Sequence, residues 1–294
     1  MSTKLLKQPV KLALVQLATS ADKAANLARA RTKILEAAAA GAKIVVLPEC
    51  FNSPYGVKHF HKYAEVLRTG TGQKPTEDES PSWHALSRVA REAGAYVVGG
   101  SIPERVLQAK RRGGDGKEGE EQEEVLYNTS LTFGPSGALL ATHRKVHLFD
   151  IDIPGKITFR ESDALSAGGK LTLVDFPEYG RVAVAICYDV RFPELAMIAA
   201  RKGAFLLLYP GAFNLTTGAL HWELQARARA VDNQVMVVDP NAQKLVEAGE
   251  GEEIVYADLT GERIEEVRKN IPIYTQRRFD VYPDVSEGKV RFED

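Results

Sequence analysis

The stretch GAKIVVLPECFN, beginning at Gly41, returns as GAFLLLYPGAFN at Gly203. Gly, Ala, Pro, Phe and Asn stand at matching places in the two copies, and each copy follows a strand-like and then a helix-like segment. The order strand–helix–Gly–strand–Pro, met twice, implies two similar βαβ halves rather than a solenoid. Strands alternating with helices bury their apolar faces as sheets covered by helices, so the chain reads as an α/β protein.

The other elements follow from periodicity and capping. Val10–Leu17 reads as a first strand. Ser20 then caps a helix over about 22–40, with Leu27, Ala30, Ile34 and Ala38 on one face and Gly41 at its end. Ile44–Leu47 is a second buried strand, stopped by Pro48 and Glu49. Ser80-Pro81 supplies an N-cap and a proline at the first helical position. Trp83, Leu86, Ala90 and Ala93 follow at helical spacing before Gly94. Tyr96–Gly99 and Leu126–Phe133 are strands. The segment RVAVAICYDVRFPEL, Arg181–Leu195, opens on the apolar run Val182–Ile186 and ends that strand on Cys187. Pro193 starts a helix reaching Arg201. Phe205–Leu208 is a strand, a helix covers about 220–233, and Met236–Asp239 and Ile254–Leu259 are short strands. A C-terminal tail occupies 276–294.

Composition narrows the function. The chain has 294 residues, 26% charged and 44% apolar, with a formal net charge of −1. That balance fits an ordinary globular protein and gives no basic patch for nucleic acid and no acidic tail for a basic partner. Leu12–Leu17 is too short for a signal peptide and is broken by Gln16. No apolar run is long enough to span a membrane. With only two cysteines, Cys50 and Cys187, a disulfide framework is not expected and a reducing compartment fits. Residues 108–124, QAKRRGGDGKEGEEQEE, read as a long solvated hairpin loop in a single-domain chain of 1–294. Its GGDGK lacks the spacing and the Ser/Thr of a phosphate loop.

Cys187 falls where a strand gives way to a helix. That position exposes a sulfur and, beside a helix N-terminus, favours thiolate. A buried structural thiol accounts for it equally well. None of the six histidines sits in a Cys–His signature. Glu49 also stands just past a buried strand, in the equivalent half of the repeat. Two halves facing each other bring both strand ends to one cleft, where a desolvated carboxylate can take a thiol proton. Lys145, in HRKVHLFD, is a candidate to hold an oxyanion; a solvated strand lysine fits the same residues. His59 and His61 form an isolated HxH without further ligands, so no metal is expected.

These motifs resemble the nitrilase, or carbon–nitrogen hydrolase, superfamily, and within it the ω-amidase branch of Nit2-like and Nit3-like amidases. VVLPECFNSPY carries the glutamate, HRKVHLFDIDIPGKITFRES the lysine, AICYDVRFPEL the cysteine and YPGAFNLTTGALHWELQARARAVDNQ the pocket. The resemblance implies a four-layer α-β-β-α sandwich and a homodimer paired through helices near the cysteine. It implies Glu49 as base, Lys145 and the Tyr188 N–H as oxyanion ligands, Cys187 as nucleophile and Glu161 as a second glutamate that positions the lysine or the substrate nitrogen. Tyr55, Phe213 and Thr217 map to the pocket, and Arg191 to the grip on a substrate carboxylate. The implied reaction is cofactor-free hydrolysis of a small α-keto acid amide, α-ketoglutaramate or α-ketosuccinamate, in the cytoplasm or also the mitochondrion. An amidase of the same superfamily acting on deaminated glutathione or a carbamoyl amine is the alternative.

The chain departs from that pattern after ARARAVDNQV. Relatives pass from the helix into a core strand and an irregular stretch before a VVDP-like turn, whereas Val235 runs straight into Met236-Val237-Val238-Asp239-Pro240. One core strand is therefore expected to be missing after Val235, as if a short coding segment had been excised. Reduced stability and weak activity follow, which leaves an impaired interaction protein as a further alternative.

Overall fold

The computed structural model describes residues 4–109, 122–282 and 284–287. Its elements in chain order are β1 (Val10–Gln16), α1 (Lys23–Ala39), β2 (Ile44–Val46), α2 (Val57–Tyr63), α3 (Pro81–Ala93), β3 (Tyr96–Val98), β4 (Ile102–Ala109) and β5 (Gln122–Phe133). There follow β6 (Leu139–Arg144), β7 (Asp150–Ile153), β8 (Ile157–Arg160), β9 (Thr172–Phe176), β10 (Gly180–Val184), α4 (Pro193–Arg201), β11 (Ala204–Leu208), α5 (Leu215–Asn233), β12 (Glu253–Leu259) and α6 (Gly261–Asn270).

Two sheets form the centre. The first runs β12-β1-β2-β3-β5-β4, with β6 also on β5; the second runs β11-β10-β9. β1, β2 and β3 are parallel neighbours, as are β10 and β11. The side-chain period of two then sorts residues into layers. Ile44, Val46, Tyr96 and Val98 of the first sheet meet Val182, Val184, Phe205 and Leu208 of the second in one buried cluster. Val45 and Val97 point the other way, onto Ala30, Ile34, Leu86 and Ala90 of α1 and α3. Ala183 and Leu207 point away from the first sheet onto Ala196, Ala199 and Ala200 of α4. The order of layers is therefore α-β-β-α, as the motifs implied. The repeat is visible in the backbone: Gly41 and Gly203, which precede β2 and β11, both have φ +90°, where a side chain would be strained.

Several local expectations change. Asp22, not Ser20, caps α1, accepting from the Ala25 N–H at 3.0 Å; Ser20 instead pairs with Asn26. α5 begins at Leu215, ahead of the expected 220, because Asn214 accepts the Thr217 N–H at 2.8 Å and caps it there. The described ends of the expected loop at 108–124 are strand rather than loop. Gln108↔Glu123 and Ala109↔Gln122 are ladder pairs of a ribbon, and Arg105 and His61 hold Glu124 at 3.2 and 3.0 Å. Residues 110–121 lie outside the described residues.

Met236–Asp239 is not a strand. The chain leaves α5 through Gln234 at φ +51°, and Met236 alone bridges Leu206 on the free edge of β11. Asp239 and Pro240 turn the chain immediately afterwards, with Asp239 accepting the Asn241 N–H at 2.7 Å. Proline has no N–H to extend a ladder. The second sheet thus has three strands and one bridge. From 276 onward the described chain has no regular element, yet Asp284 is buried and pairs with Arg201 at 2.5 Å. No helix among the described residues is long and apolar enough to cross a membrane.

Candidate active site

The site lies where chain segments leave both sheets. Glu49 follows β2 and Lys145 follows β6, in the first sheet. Cys187 follows β10, and the segment from Ala212 to Thr217 follows β11, in the second. Backbone bonds fix each exit. Leu47 N–H donates to Val98 O at 3.0 Å, and Ser101 N–H to Pro48 O at 3.3 Å. This approach demands glycine at 100, since a Cβ there would overlap the Pro48 carbonyl oxygen. Lys145 N–H donates to Asn128 O at 2.8 Å, and its carbonyl accepts the Gly168 N–H at 2.7 Å.

Three charged groups meet almost without water. Lys145 and Glu161 are 0% exposed and Glu49 3%. The Lys145 ammonium donates to Glu49 Oε1 and to Glu161 Oε1, each at 2.9 Å. Asn128 donates to Glu49 Oε1 and the Ala212 N–H to Glu49 Oε2, both at 2.9 Å. Glu161 also accepts the Tyr55 hydroxyl at 2.7 Å and the Phe149 N–H at 2.7 Å. Tyr55 therefore meets Glu161 rather than the cavity wall described below.

Cys187 opens a short 3₁₀ turn, Cys187–Arg191, that precedes α4. Its φ is +44°, a left-handed conformation that a non-glycine residue holds only when its surroundings impose it. Of the two states the sequence left open, an exposed sulfur and a buried thiol, the structure has the buried one. Burial pushes its thiol well above the ordinary range; the negative charge of Glu49 adds to that and Lys145 opposes it. Burial likewise raises the Glu49 carboxyl, Lys145 pulling it down and Glu161 pushing it up. For Lys145, burial works against the charge, and the surrounding Glu49, Cys187 and Glu161 outweigh it, so the ammonium is held firmly protonated. A protonated thiol thus sits beside a carboxylate of raised basicity, with a fixed cation on the carboxylate's other side.

A small cavity opens at Cys187, lined by Phe149, Tyr188, Arg191, Phe213, Asn214 and Thr217. Its space is about 230 Å³ with the open mouth included, which leaves room only for a small group beside the sulfur. Arg191 is half-buried; one guanidinium nitrogen meets His221 Nδ1 at 3.1 Å and its Nε is buried without a protein partner. The guanidinium lies 5.4 Å from the Tyr188 ring and 5.8 Å from the Phe213 ring. Phe213 is backed by Trp222 at 4.6 Å. The Thr217 hydroxyl donates to Asn214 at 3.1 Å. The sequence reading did not single out Asn128, Phe149, Asn214, Asp189 or His221. Phe149, Asp189, Asn214 and His221 stood inside quoted motifs, but nothing in residue type separated them from their neighbours.

A fold of two packed sheets with a buried Glu-Lys-Glu cluster at a cysteine elbow defines a class, and sequence comparison agrees: the chain belongs to the carbon–nitrogen hydrolase family, whose profile matches residues 11–237. Within the family it is 48% identical to omega-amidase NIT3 of Saccharomyces cerevisiae, over 97% of this chain and 99% of that protein. It is 47% identical to human omega-amidase NIT2, over 92% of this chain and 96% of that protein. The crystal structure of S. cerevisiae Nit3, described as a member of branch 10 of the nitrilase superfamily, is similar with a TM-score of 0.78. The identity is 45%, covering 95% of this chain and all of that one.

Proposed function

We propose that this chain is an ω-amidase, hydrolysing small α-keto acid amides such as α-ketoglutaramate and α-ketosuccinamate to a dicarboxylate and ammonia. The observation that carries the reading is the lysine bridging two buried carboxylates beside Cys187. Glu49 takes the thiol proton as sulfur attacks the amide carbon. An ammonium has three N–H donors; two of those on Lys145 are engaged by Glu49 and Glu161, and the third is available to the oxyanion together with the Tyr188 N–H. Glu49 returns the proton to the departing nitrogen, giving ammonia and a thioester. It then takes a proton from water, whose oxygen attacks the thioester, and gives that proton back to the Cys187 sulfur as the acid leaves. Arg191 supplies the planar two-point contact for the second carboxylate of the substrate. Tyr55 serves this chemistry by holding Glu161, while Phe213 and Thr217 shape the wall. No cofactor enters the scheme.

The same reading includes a homodimer. Leu220, Leu224 and Val231 of α5 are 67%, 66% and 43% exposed on one helical face, which suits a second copy of the chain. A thiol nucleophile and two unpaired cysteines favour a reducing compartment, cytoplasm or mitochondrion. A second reading, an impaired amidase retained for its interactions, draws on the three-stranded second sheet. Ammonia release from α-ketoglutaramate by the purified chain and by Cys187→Ala tests both. Turnover lost only in the variant supports the ω-amidase; no turnover in either supports the impaired protein; equal turnover rejects Cys187.

A further inference from the structure

We propose that Asp189 is a positioning residue that locks the turn of Cys187 to the loop of Lys145, one carboxylate oxygen serving each. Asp189 is 0% exposed. Its Oδ2 accepts the Ile186 N–H at 2.9 Å, which closes the 3₁₀ turn around Cys187, and faces His143 Nε2 at 3.4 Å. Its Oδ1 accepts the His147 backbone N–H at 2.9 Å and the His147 ring Nδ1–H at 2.8 Å. His147 is two residues beyond Lys145, and its ring lies flat on Phe192, at 3.5 Å and 8°. Phe192 directly follows the turn of Cys187. The carboxylate and the stacked rings therefore tie the same two segments. His143, from β6, is anchored in turn to Thr172 of β9 at 3.0 Å, so the tie also spans the two sheets.

Two physical needs meet here. Cys187 holds a left-handed backbone that its surroundings must enforce. The reaction needs sulfur, Glu49 and the Lys145 ammonium in one geometry, yet they arrive on segments from different sheets. A bidentate acceptor with donors from both segments answers both needs, and only an ionised carboxylate accepts from all of them. Burial alone would raise this group; hydrogen bonds from the two histidines bring it well below the ordinary carboxylate range. An asparagine of the same shape has one oxygen, and its NH₂ would face the donors of one segment or the other.

The inference rests on Cys187 as nucleophile, so its test carries two readouts. The full chain, Asp189→Asn and His147→Phe are compared for ammonia release across α-ketoglutaramate concentrations and for the rate of iodoacetamide labelling at Cys187. His147→Phe keeps the stacked ring and the backbone donor and removes one donor to Oδ1. Asp189→Asn is expected to lower kcat by about 10²-fold, the scale for an ångström of misplacement, with KM near that of the parent. Its Cys187 labelling is expected to rise about tenfold, as the loosened turn opens the buried sulfur to the reagent. His147→Phe moves both readouts the same way by less, and the double variant falls no further than Asp189→Asn, because the two changes break one tie. Parental kcat and labelling in folded Asp189→Asn overturn the proposal. Should that variant not fold, parental values in His147→Phe overturn it. An inactive parent, or an active Cys187→Ala, rejects the ω-amidase reading instead, and labelling still decides the role of Asp189.

Discussion

Glu49 is held by three donors, from Lys145, Asn128 and the Ala212 N–H, and its raised basicity comes from burial first. As the proposed base it works only when unprotonated. The working fraction falls as pH drops through its folded-state pKa, and since that pKa is raised, the acid limb of kcat/KM is expected above the ordinary carboxylate range. A limb at or below that range would reject Glu49 as base. Glu49→Gln and Lys145→Ala are each expected to lose at least about 10²-fold in kcat, the scale of a lost acid–base or oxyanion group. Arg191→Lys is expected to raise KM for α-ketoglutaramate more than it lowers kcat, because lysine cannot make the planar two-point contact; an unchanged KM would remove Arg191 from the carboxylate. At this scale the sequence singled out residues that the structure brings together where a reactive group stands just past a strand end, as at Glu49 and Cys187. Asn128 was not singled out, since a polar residue inside a strand carries no mark of where it points. The buried state of Cys187 was one of two open readings, and the sequence could not choose it, because the left-handed turn is held by particular partners: Asp189 accepts the Ile186 N–H, and the Pro210 carbonyl accepts the Cys187 N–H at 2.8 Å.

Among the elements, those with a punctuating residue were readable. Ser80, Pro81 and Gly94 bound α3, with Ser80 accepting from Trp83 and Gly94 left-handed at its end; Pro193 starts α4 where expected. α2, the β7–β8 hairpin, β9 and α6 were not anticipated. α2 and the hairpin are short, exposed on one side and rich in charge, so neither period stands out; tertiary contacts decide them. β4 and the outer end of β5 escaped for a related reason: the outer ladder pairs polar residues, such as Gln108 with Glu123, where no apolar alternation is needed. This ribbon yields a graded test. Excising 111–120 and closing the ribbon with a short turn is expected to leave turnover within about twofold, since loop length costs little. Excising all of 108–124 also removes Glu124, which Arg105 and His61 hold, and is expected to lower the melting temperature further. A large loss of turnover in the shorter excision would mean that this segment serves the pocket.

At the scale of the molecule the second sheet is the weak side. Among the described residues Met236 alone continues it beyond β11, and Asn233 and Gln234 each bury a side-chain oxygen without a partner, at about 1–3 kcal/mol apiece. Inserting a strand of about five or six residues with its connection between Val235 and Met236 is expected to raise the melting temperature and the turnover together; equal values for both forms would show the short sheet to be sufficient. The buried charges of the site act on the same balance from the other side. Glu49, Lys145 and Glu161 gave up hydration to stand where they do. Removing Lys145 alone leaves two carboxylates facing each other and is expected to cost about 3–5 kcal/mol, whereas Glu49→Gln, Lys145→Met and Glu161→Gln made together are expected to be neutral or stabilising by about 1–4 kcal/mol. The triple variant should therefore melt no lower than its parent while hydrolysing nothing. Ranked by thermal tolerance alone, this enzyme's most robust descendants would be those that no longer work, and a selection for heat resistance that does not also demand turnover would dismantle this cluster first.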